Sequence, residues 1–315
     1  MVSVPKYVTR ISGDILGIAG YYTNFYDNPN HYDPTQHVIV AAKDGNVYEV
    51  HWNQQVPPTI VGSIGYFGTN LVNIAGFYSP DDKYQHAVTV TVTNTVTNEG
   101  TLHEIYFMLP NTFHTRDHLY PVGRFDPNKG AASFFSPGDN LRHVVIVDRN
   151  GNPVDITWNA QQQPHGVGIT IPPNDSQIAS ISGFLDTDDN SRHIIVACKD
   201  ARGEVYDINY PDEHHVPSSV GSSSVITSFN EPLQNVTAFF TPDTNYRHIV
   251  VFTQAHLLKD HSYDKQGNTR NTTLMASALS NVADITSYYT ADGLRHVIIA
   301  YHDGHLDEIT YTSQG

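Results

Sequence analysis

The stretch HVIVAAKDGNVYEVHW, residues 37–52, returns five more times along the chain in recognisable form. The other copies begin at His86, His143, His193, His248 and His296. Each copy joins a run rich in β-branched residues to a polar turn and then to a second run ending in an aromatic residue; three turns contain Asp-Gly or Asn-Gly. Because this order is typical of a β-hairpin, the sequence predicts six hairpins.

A second shared phrase precedes each hairpin and predicts one more strand. Its copies are IAGYY from Ile18, IAGFY from Ile74, AASFF from Ala131, ISGFL from Ile181, VTAFF from Val236 and ITSYY from Ile285. Its small residues suit a strand packed closely against a neighbouring backbone, and the Pro, Asp and Asn that follow it indicate tight turns. The spacers offer a fourth strand: TIVGSIGYF from Thr59, HLYPVGRF from His118, GVGITIP from Gly166, SSVITSF from Ser223 and TLMASAL from Thr273.

The spacing of the repeats predicts the architecture. The hairpin histidines recur about every 52 residues, which is within the range of propeller blades. The last copy leaves no room for a fourth strand, whereas KYVTRIS, residues 6–12, precedes the first repeat without a hairpin of its own. We therefore predict an all-β fold in which residues 1–315 form a single six-bladed β-propeller of four-stranded antiparallel blades, with the ring closed by the N-terminal strand.

Composition excludes several classes of function. With a formal net charge of −15 and only 17 Lys and Arg residues, the chain lacks the basic surface that nucleic-acid binding requires. The single cysteine, Cys198, lies in an apolar run and is expected to be a small buried side chain. No signal-peptide pattern and no run of about 18 apolar residues occurs. We expect a soluble cytoplasmic protein without membrane insertion, or a secreted one if the sequence lacks its leader; its oligomeric state is left open.

Each repeat carries one histidine, one carboxylate and one aromatic residue at corresponding positions. The histidine and carboxylate pairs are His37 and Glu49, His86 and Glu104, His143 and Asp155, His193 and Asp207, His248 and Asp260, and His296 and Glu308. The aromatic residues, three positions after the carboxylates, are Trp52, Phe107, Trp158, Tyr210, Tyr263 and Tyr311. We predict that the twelve histidines and carboxylates bind a ligand.

The pattern has a second interpretation. Repeated polar residues can serve the repeat itself, with histidine and carboxylate bonded to each other or to backbone groups and the aromatic residue in the core. Whether His37 and Glu49 share a face of the sheet depends on the number of residues in the hairpin loop, which the sequence leaves open. No nucleophile, phosphate-loop or zinc motif occurs, so we predict no catalytic residue, no metal ligand and no cofactor.

The layout resembles the six-bladed fucose-binding lectins of fungi and bacteria. The shared features are the small-residue inner strand, a basic residue opening the next strand, the Asn-Gly or Asp-Gly turn, and a carboxylate twelve residues after the basic one in four copies. In that family an Arg, a Glu or Gln and an aromatic residue hold fucose between adjacent blades. The resemblance places the family's carboxylate on the six carboxylates above, and its Arg on the six histidines.

The chain departs from this family at the basic position. Imidazole cannot make the bidentate contact of a guanidinium group. Four arginines stand one residue earlier, on the opposite face of the strand, where they would be poor substitutes: Arg142, Arg192, Arg247 and Arg295.

Three functions compete on this scaffold. A non-catalytic, lectin-like protein with glycan partners and repeated sites between blades is favoured by the repetition and by the resemblance, because several weak sites give avidity. A hydrolase or lyase would have one site at the mouth of the central channel, and the fifth repeat, with Gln254, His256 and Lys259 in an altered hairpin, is the irregular one. A protein-interaction scaffold is the third hypothesis.

Overall fold

A computed structural model describes residues 3–23, 35–108, 112–127, 129–159, 161, 163–169, 178–211 and 222–312. This part of the chain contains 24 β-strands and no α-helix. It therefore includes no helix long and apolar enough to cross a membrane. The strands form six four-stranded antiparallel sheets, as the sequence predicts.

Each sheet is one blade, numbered here along the chain. The first strand is β1 (Lys6–Arg10). Blade one contains β2 (Ile15–Thr23), β3 (Thr35–Ala42), β4 (Asn46–Trp52) and β5 (Thr59–Tyr66). Blade two contains β6 (Leu71–Ser79), β7 (Tyr84–Asn94), β8 (Glu99–Met108) and β9 (Thr112–Arg124). Blade three contains β10 (Ala131–Ser136), β11 (Leu141–Val147), β12 (Pro153–Trp158) and β13 (His165–Gly168).

The remaining blades follow the same order. Blade four contains β14 (Ile178–Asp186), β15 (Ser191–Cys198), β16 (Glu204–Pro211) and β17 (Ser222–Ser228). Blade five contains β18 (Leu233–Thr241), β19 (Tyr246–Thr253), β20 (Leu258–Tyr263) and β21 (Thr269–Ala276). Blade six contains β22 (Val282–Tyr289), β23 (Arg295–Tyr301) and β24 (His305–Tyr311), and it is completed by β1.

The ring closes through the N-terminal strand. β1 pairs antiparallel with β24, with Lys6 opposite Glu308 and Arg10 opposite His305. The innermost strands β2, β6, β10, β14, β18 and β22 contact one another in order around the axis, and β22 contacts β2 again. The predicted six-bladed propeller and its closure by the N-terminal segment are both confirmed.

Glycine occupies hairpin turns where no side chain fits. Gly45 and Gly304 have φ of 87° and 93°. A Cβ atom at Gly45 would lie 2.4 Å from the carbonyl oxygen of Gly68, and one at Gly304 would lie 2.3 Å from that of Ile11. In the irregular fifth repeat, His256 takes the same left-handed conformation with φ of 61°. The fifth blade therefore keeps an ordinary hairpin despite its altered sequence.

The core lies between the blades rather than within a central layer. Six apolar clusters each join two neighbouring blades, and β-branched residues of the second strand of each blade form much of them. Cys198 belongs to one cluster, and burial and Asp200 raise the pKa of its thiol to about 11. At the axis, a Cβ atom at Gly20 would lie 2.9 Å from Thr286 Cγ2, so small residues let the inner strands approach, as predicted.

Candidate functional site

The six predicted histidine and carboxylate pairs all form, each within one blade. The Nδ1 atom of the histidine lies within hydrogen-bond distance of the carboxylate: His37 and Glu49 at 2.7 Å, His86 and Glu104 at 2.9 Å, His143 and Asp155 at 2.9 Å, His193 and Asp207 at 2.8 Å, His248 and Asp260 at 3.0 Å, and His296 and Glu308 at 2.7 Å. In β19 and β20, for example, His248 lies opposite Ser262, two residues after Asp260. The two side chains therefore share a face of the sheet, the question that the sequence left open.

These histidines are buried and stacked. Their exposed fractions are 0–3%. Each imidazole stacks on an aromatic ring of the inner strand, at centroid distances of 4.7–5.2 Å: Tyr21, Phe77, Phe134, Phe184, Phe239 and Tyr288. The Nε2 atoms of four of them contact Thr23, Asp82, Ser191 and Thr290. Those of His143 and His248 have no hydrogen-bond partner among the described residues.

The next blade supplies the third member of the set. Trp158 Nε1 donates to Glu104 Oε1 at 3.2 Å, and Tyr263 OH and Tyr311 OH donate to Asp207 and Asp260 at 3.0 and 3.2 Å. The pKa of each tyrosine hydroxyl is raised well above its usual value, mainly by burial and secondly by the adjacent carboxylate. Both hydroxyls therefore keep the proton that they donate.

Three positions in this series differ or lie outside the described residues. Trp52 is buried in the apolar cluster that joins the first and last blades. Phe107 has no hydroxyl to donate, and Glu49 Oε2 is buried without a hydrogen-bond partner among the described residues. The side chain of Tyr210 is outside the described part of the chain.

The arginines that precede four of the histidines enter the clefts between blades. Each faces away from the histidine of its own blade, as expected, and reaches the turn between the first two strands of the preceding blade. Arg142 contacts Asp81 and Asp82, Arg192 contacts Asp139, Arg247 contacts Asp186 and Asp189, and Arg295 contacts Thr244. A cleft therefore combines the histidine and carboxylate of one blade with the arginine and aromatic residue of the next.

Sequence analysis missed this role of the arginines. The missing signal was in the sequence: the Arg-His pair occurs four times, and three of the arginines follow the aspartate that they contact by 53–61 residues, about one repeat. In the other two blades glutamine takes the place of arginine, and the preceding inner ring is tyrosine instead of phenylalanine. Tyr21 OH donates to Gln85 at 2.7 Å, and Tyr288 OH donates to Gln36 at 2.8 Å.

Two of the clefts differ at the turn that faces the arginine. Between blades four and five, Asp186 and Asp189 flank Arg247, and we call this the aspartate cleft. Between blades five and six, Thr241 and Thr244 occupy the same turn positions before Arg295, and we call this the threonine cleft.

The threonine cleft contains an open cavity of about 270 Å³. Its lining residues are Tyr246, His248, Asp260, Ser262, Arg270, Asn271, Thr273, Met275, Arg295, Tyr311 and Thr312. Ser262 lies opposite the repeated histidine, a position that Tyr106 fills in the second blade and Asn209 in the fourth. Because serine is the smallest of these side chains, it leaves space beside His248.

A second cavity lies on the propeller axis. Its mouth, about 350 Å³ in volume, is lined by the beginnings of the inner strands and contains Asn73, Asn235 and Asp284. Asp284 accepts hydrogen bonds from Ile18 N and Ile285 N, both at 2.9 Å, and from Asn235. Burial nevertheless raises the pKa of Asp284 to about 6.

One group of side chains has the composition of a metal site. Asp186, Asp189 and His193 can bring ligand atoms within 4.8 Å of one another, and no other such group occurs in the described ranges. Arg247 already pairs with both aspartates, and Ser191 contacts the histidine. The geometry is accounted for by these contacts alone.

Comparisons with known proteins agree with the fold. No protein-family model matches the sequence, and neither does any curated protein. Among solved structures, the lectin BP39L of Burkholderia pseudomallei superposes with a TM-score of 0.64 at 14% identity, over 95% of this chain and 81% of that one. The fucose-specific lectin of Aleuria aurantia gives 0.65 at 13% identity, over 96% and 94%.

Not every similar structure is a lectin. A protein of Thermus thermophilus that is named an oxidoreductase (glucose dehydrogenase) gives a TM-score of 0.58 at 11% identity, over 98% of this chain and 99% of that one. Identities this low establish a shared fold, since propellers carry many activities. The resemblance in layout to the fucose-binding lectins is confirmed at the level of the fold.

The predicted site residues are thus brought together but largely enclosed. Ten of the twelve belong to pairs outside the threonine cleft, and ligand binding by all twelve stays a prediction. His248 and Asp260 line an open cavity.

Proposed function

We propose that the protein is a non-catalytic, lectin-like carbohydrate-binding protein with its sites in the clefts between blades. The observation that carries the proposal is the threonine cleft. It combines Asp260, Asn271 and Thr273, which can hydrogen-bond sugar hydroxyls, with the rings of Tyr246 and Tyr311. Polar side chains of fixed position beside aromatic surface are what recognition of a hydroxylated ring requires.

The propeller repeats this arrangement in modified form around the ring. The cleft of the second and third blades has the same histidine, carboxylate and arginine, but Tyr106 stacks on His114 at 5.0 Å where the threonine cleft has Ser262. We therefore assign the main binding site to the threonine cleft. The enclosed pairs of the other blades connect strands and neighbouring blades.

A glycan-array screen of the purified protein tests this proposal, together with Ser262→Tyr. The substitution copies a side chain that the second blade accommodates, so the fold should tolerate it, whereas the cleft beside His248 would be filled. We expect a defined set of glycans to bind the wild type and to lose at least tenfold in affinity for the variant. As the matched control, Asn209→Tyr alters the same position in the fourth blade and should leave binding unchanged.

Absence of binding to every glycan by folded protein would contradict the proposal. Equal loss in both tyrosine variants would contradict the assignment to the threonine cleft. Circular dichroism and thermal melting of each variant establish that the fold is retained.

The second candidate is an enzyme that acts at the mouth of the channel. The observation in its favour is Asp284, whose raised pKa of about 6 suits proton transfer near neutral pH. Among the described residues that line this mouth, Asp284 is the one titratable side chain, so a second acid or base is missing from the lining. Asp284→Asn would abolish an activity at the channel and leave glycan binding intact.

A further inference from the structure

Arg295 is buried without the partner that the other three inter-blade arginines have. It is 3% exposed. Its Nη2 donates to Thr244 Oγ1 at 3.2 Å, and its guanidinium lies 5.8 Å from the ring centre of Tyr311. Its Nε atom has no hydrogen-bond partner among the described residues. A buried guanidinium that lacks a counter-charge is costly in free energy, so this position stands out.

The aspartate cleft shows what is missing. There Nε and Nη2 of Arg247 both donate to Asp186 Oδ2, at 2.9 and 2.7 Å, and Nη2 also lies 3.2 Å from Asp189. At the same two turn positions before Arg295 stand Thr241 and Thr244, whose hydroxyls bond to each other at 2.7 Å. Two carboxylates have been replaced by two neutral hydroxyl groups, and the arginine has been kept.

No other carboxylate of the threonine cleft is available to Arg295. Asp260 is the one carboxylate among the described lining residues. The two carboxylate oxygens of Asp260 lie 3.1 and 3.0 Å from His248 Nδ1, and Oδ2 also accepts a hydrogen bond from the hydroxyl of Tyr311. The protein therefore supplies no anion to this guanidinium from inside the cavity.

Two further charged groups lie near the cavity, and neither pairs with Arg295. Asp243, in the same turn as Thr244, hydrogen-bonds with Tyr289 and raises the pKa of that hydroxyl together with burial, which is the larger cause. A second guanidinium, that of Arg270, lines the cavity, half exposed. It lies over the ring of Tyr246 while pairing with Asp264. Among the described residues, Arg295 therefore forms no ion pair, whereas Arg247 pairs with two aspartates.

We propose that the threonine cleft binds an acidic sugar, whose carboxylate pairs with Arg295 in place of the two missing aspartates. The inference rests on the proposed function, and it specifies in addition that the sugar is negatively charged. A carboxylate is the natural group because the equivalent guanidinium in the aspartate cleft is held by one. Asn271, Thr273 and Ser262 remain to bind the hydroxyls of the same ring.

Titration calorimetry with matched pairs of sugars tests the proposal. The methyl glycosides of glucuronic and galacturonic acid, and of sialic acid, are compared with those of glucose, galactose and fucose. We expect the wild type to prefer at least one acidic sugar by tenfold or more, with a preference that weakens as salt is raised.

Thr244→Asp supplies the missing carboxylate from the protein itself. The fold accepts aspartate here, since Asp82, Asp139 and Asp189 occupy the same position in other blades. We expect this variant to melt at the same or a higher temperature and to bind the acidic sugar at least tenfold more weakly. Thr244→Asn, of the same size as the aspartate variant but neutral, brings no charge to Arg295 and should therefore weaken binding of the acidic sugar much less than Thr244→Asp does.

The outcomes separate the two proposals. Binding of neutral sugars without preference for acidic ones would overturn the inference and leave the lectin-like function standing. Equal weakening by Thr244→Asp and Thr244→Asn would also overturn it, because charge would then play no part. Absence of binding to either class would overturn the inference, and absence of binding on the glycan array as well would overturn both proposals.

Discussion

The aspartate cleft and the threonine cleft share most of their side chains but differ at one turn and at the residue opposite the repeated histidine. Both contain a buried His-Asp pair, a tyrosine hydroxyl on that aspartate and an arginine from the following blade. In the first, the turn neutralises the arginine; in the second, it leaves the charge without a partner inside the described part of the protein. Under the proposed function, a repeat that holds blades together becomes a binding site through one neutral turn and one small side chain.

Replacing each arginine in turn should give the largest difference in stability between the two clefts. Arg247→Met leaves Asp186, which is fully buried, without its cation, and we expect a loss of about 3–5 kcal/mol in the free energy of unfolding. Arg295→Met leaves no carboxylate behind and removes one hydrogen bond and one cation-π contact, for about 1–2 kcal/mol. Urea denaturation of both variants measures the difference.

A double variant serves as the control for that measurement. Adding Asp186→Thr to Arg247→Met gives the fourth blade the neutral residue of the fifth at this position and should recover part of the loss. Equal destabilisation by the two single variants would mean that the arginines are equivalent, contrary to the distinction between the clefts.

Removal of the tyrosine hydroxyls tests whether the two clefts are alike away from the turn. Tyr263→Phe and Tyr311→Phe each remove one donor from a buried aspartate, and we expect each to cost about 1–2 kcal/mol. Denaturation midpoints should shift by the same amount within error. A markedly larger loss in one variant would mean that the two clefts also differ around the tyrosine, and not at the turn alone.

In the cleft between the first two blades, a hydrogen-bond donor can be added to a buried carboxylate instead of removed from it. Phe107→Tyr would add the hydroxyl that Glu49 Oε2 lacks, and we expect a gain of up to about 1 kcal/mol. Phe107→Leu, which also lacks a donor, is the control and should destabilise. A loss of stability in the tyrosine variant, measured by thermal melting, would show that the ring position cannot accommodate the donor.

The smallest effect concerns the pH dependence of the acidic turns. Burial lowers the pKa of His86, but hydrogen bonds to Asp82 and Glu104 outweigh this and raise it above its usual value. The corresponding stabilisation is fully present below the unfolded pKa of about 6.5 and is lost as pH rises through the folded pKa. NMR titration should place the His86 midpoint above about 6.5.

Asp82→Thr gives the second blade the turn residue of the threonine cleft. We expect the His86 midpoint to fall in this variant and the decline of stability above a pH of about 6.5 to become shallower. An unchanged midpoint would contradict the role assigned to Asp82.

The fold was predictable because local and repeated signals agree. Asp-Gly at residues 44–45 favours a tight turn, and a His-to-carboxylate spacing of twelve residues recurs in four of the six hairpins. The fourth strands were located less well: β9 begins at Thr112, six residues before the predicted start at His118, and its register shifts opposite Leu102 and Glu104. Irregular pairing of this kind leaves no periodic signal.

The candidate site was predictable only within a blade. The bond between His248 and Asp260 follows from spacing along one hairpin, whereas Arg295 joins them from a strand that begins 47 residues after His248. Contacts between blades depend on how the sheets pack against one another, and a single sequence does not reveal that packing. The substitution of Thr244 for an aspartate was nevertheless visible once the turns were aligned.

The pairing of β1 with β24 has a consequence for biosynthesis. β1 leaves the ribosome about 300 residues before its partner strand, so the sixth blade cannot be completed until β24 has been made. Until then β1 lacks its partner strand, and the apolar cluster that joins the first and last blades is incomplete. Closure of the ring is therefore a late step in folding, because it joins the two segments of the propeller that lie farthest apart in the sequence.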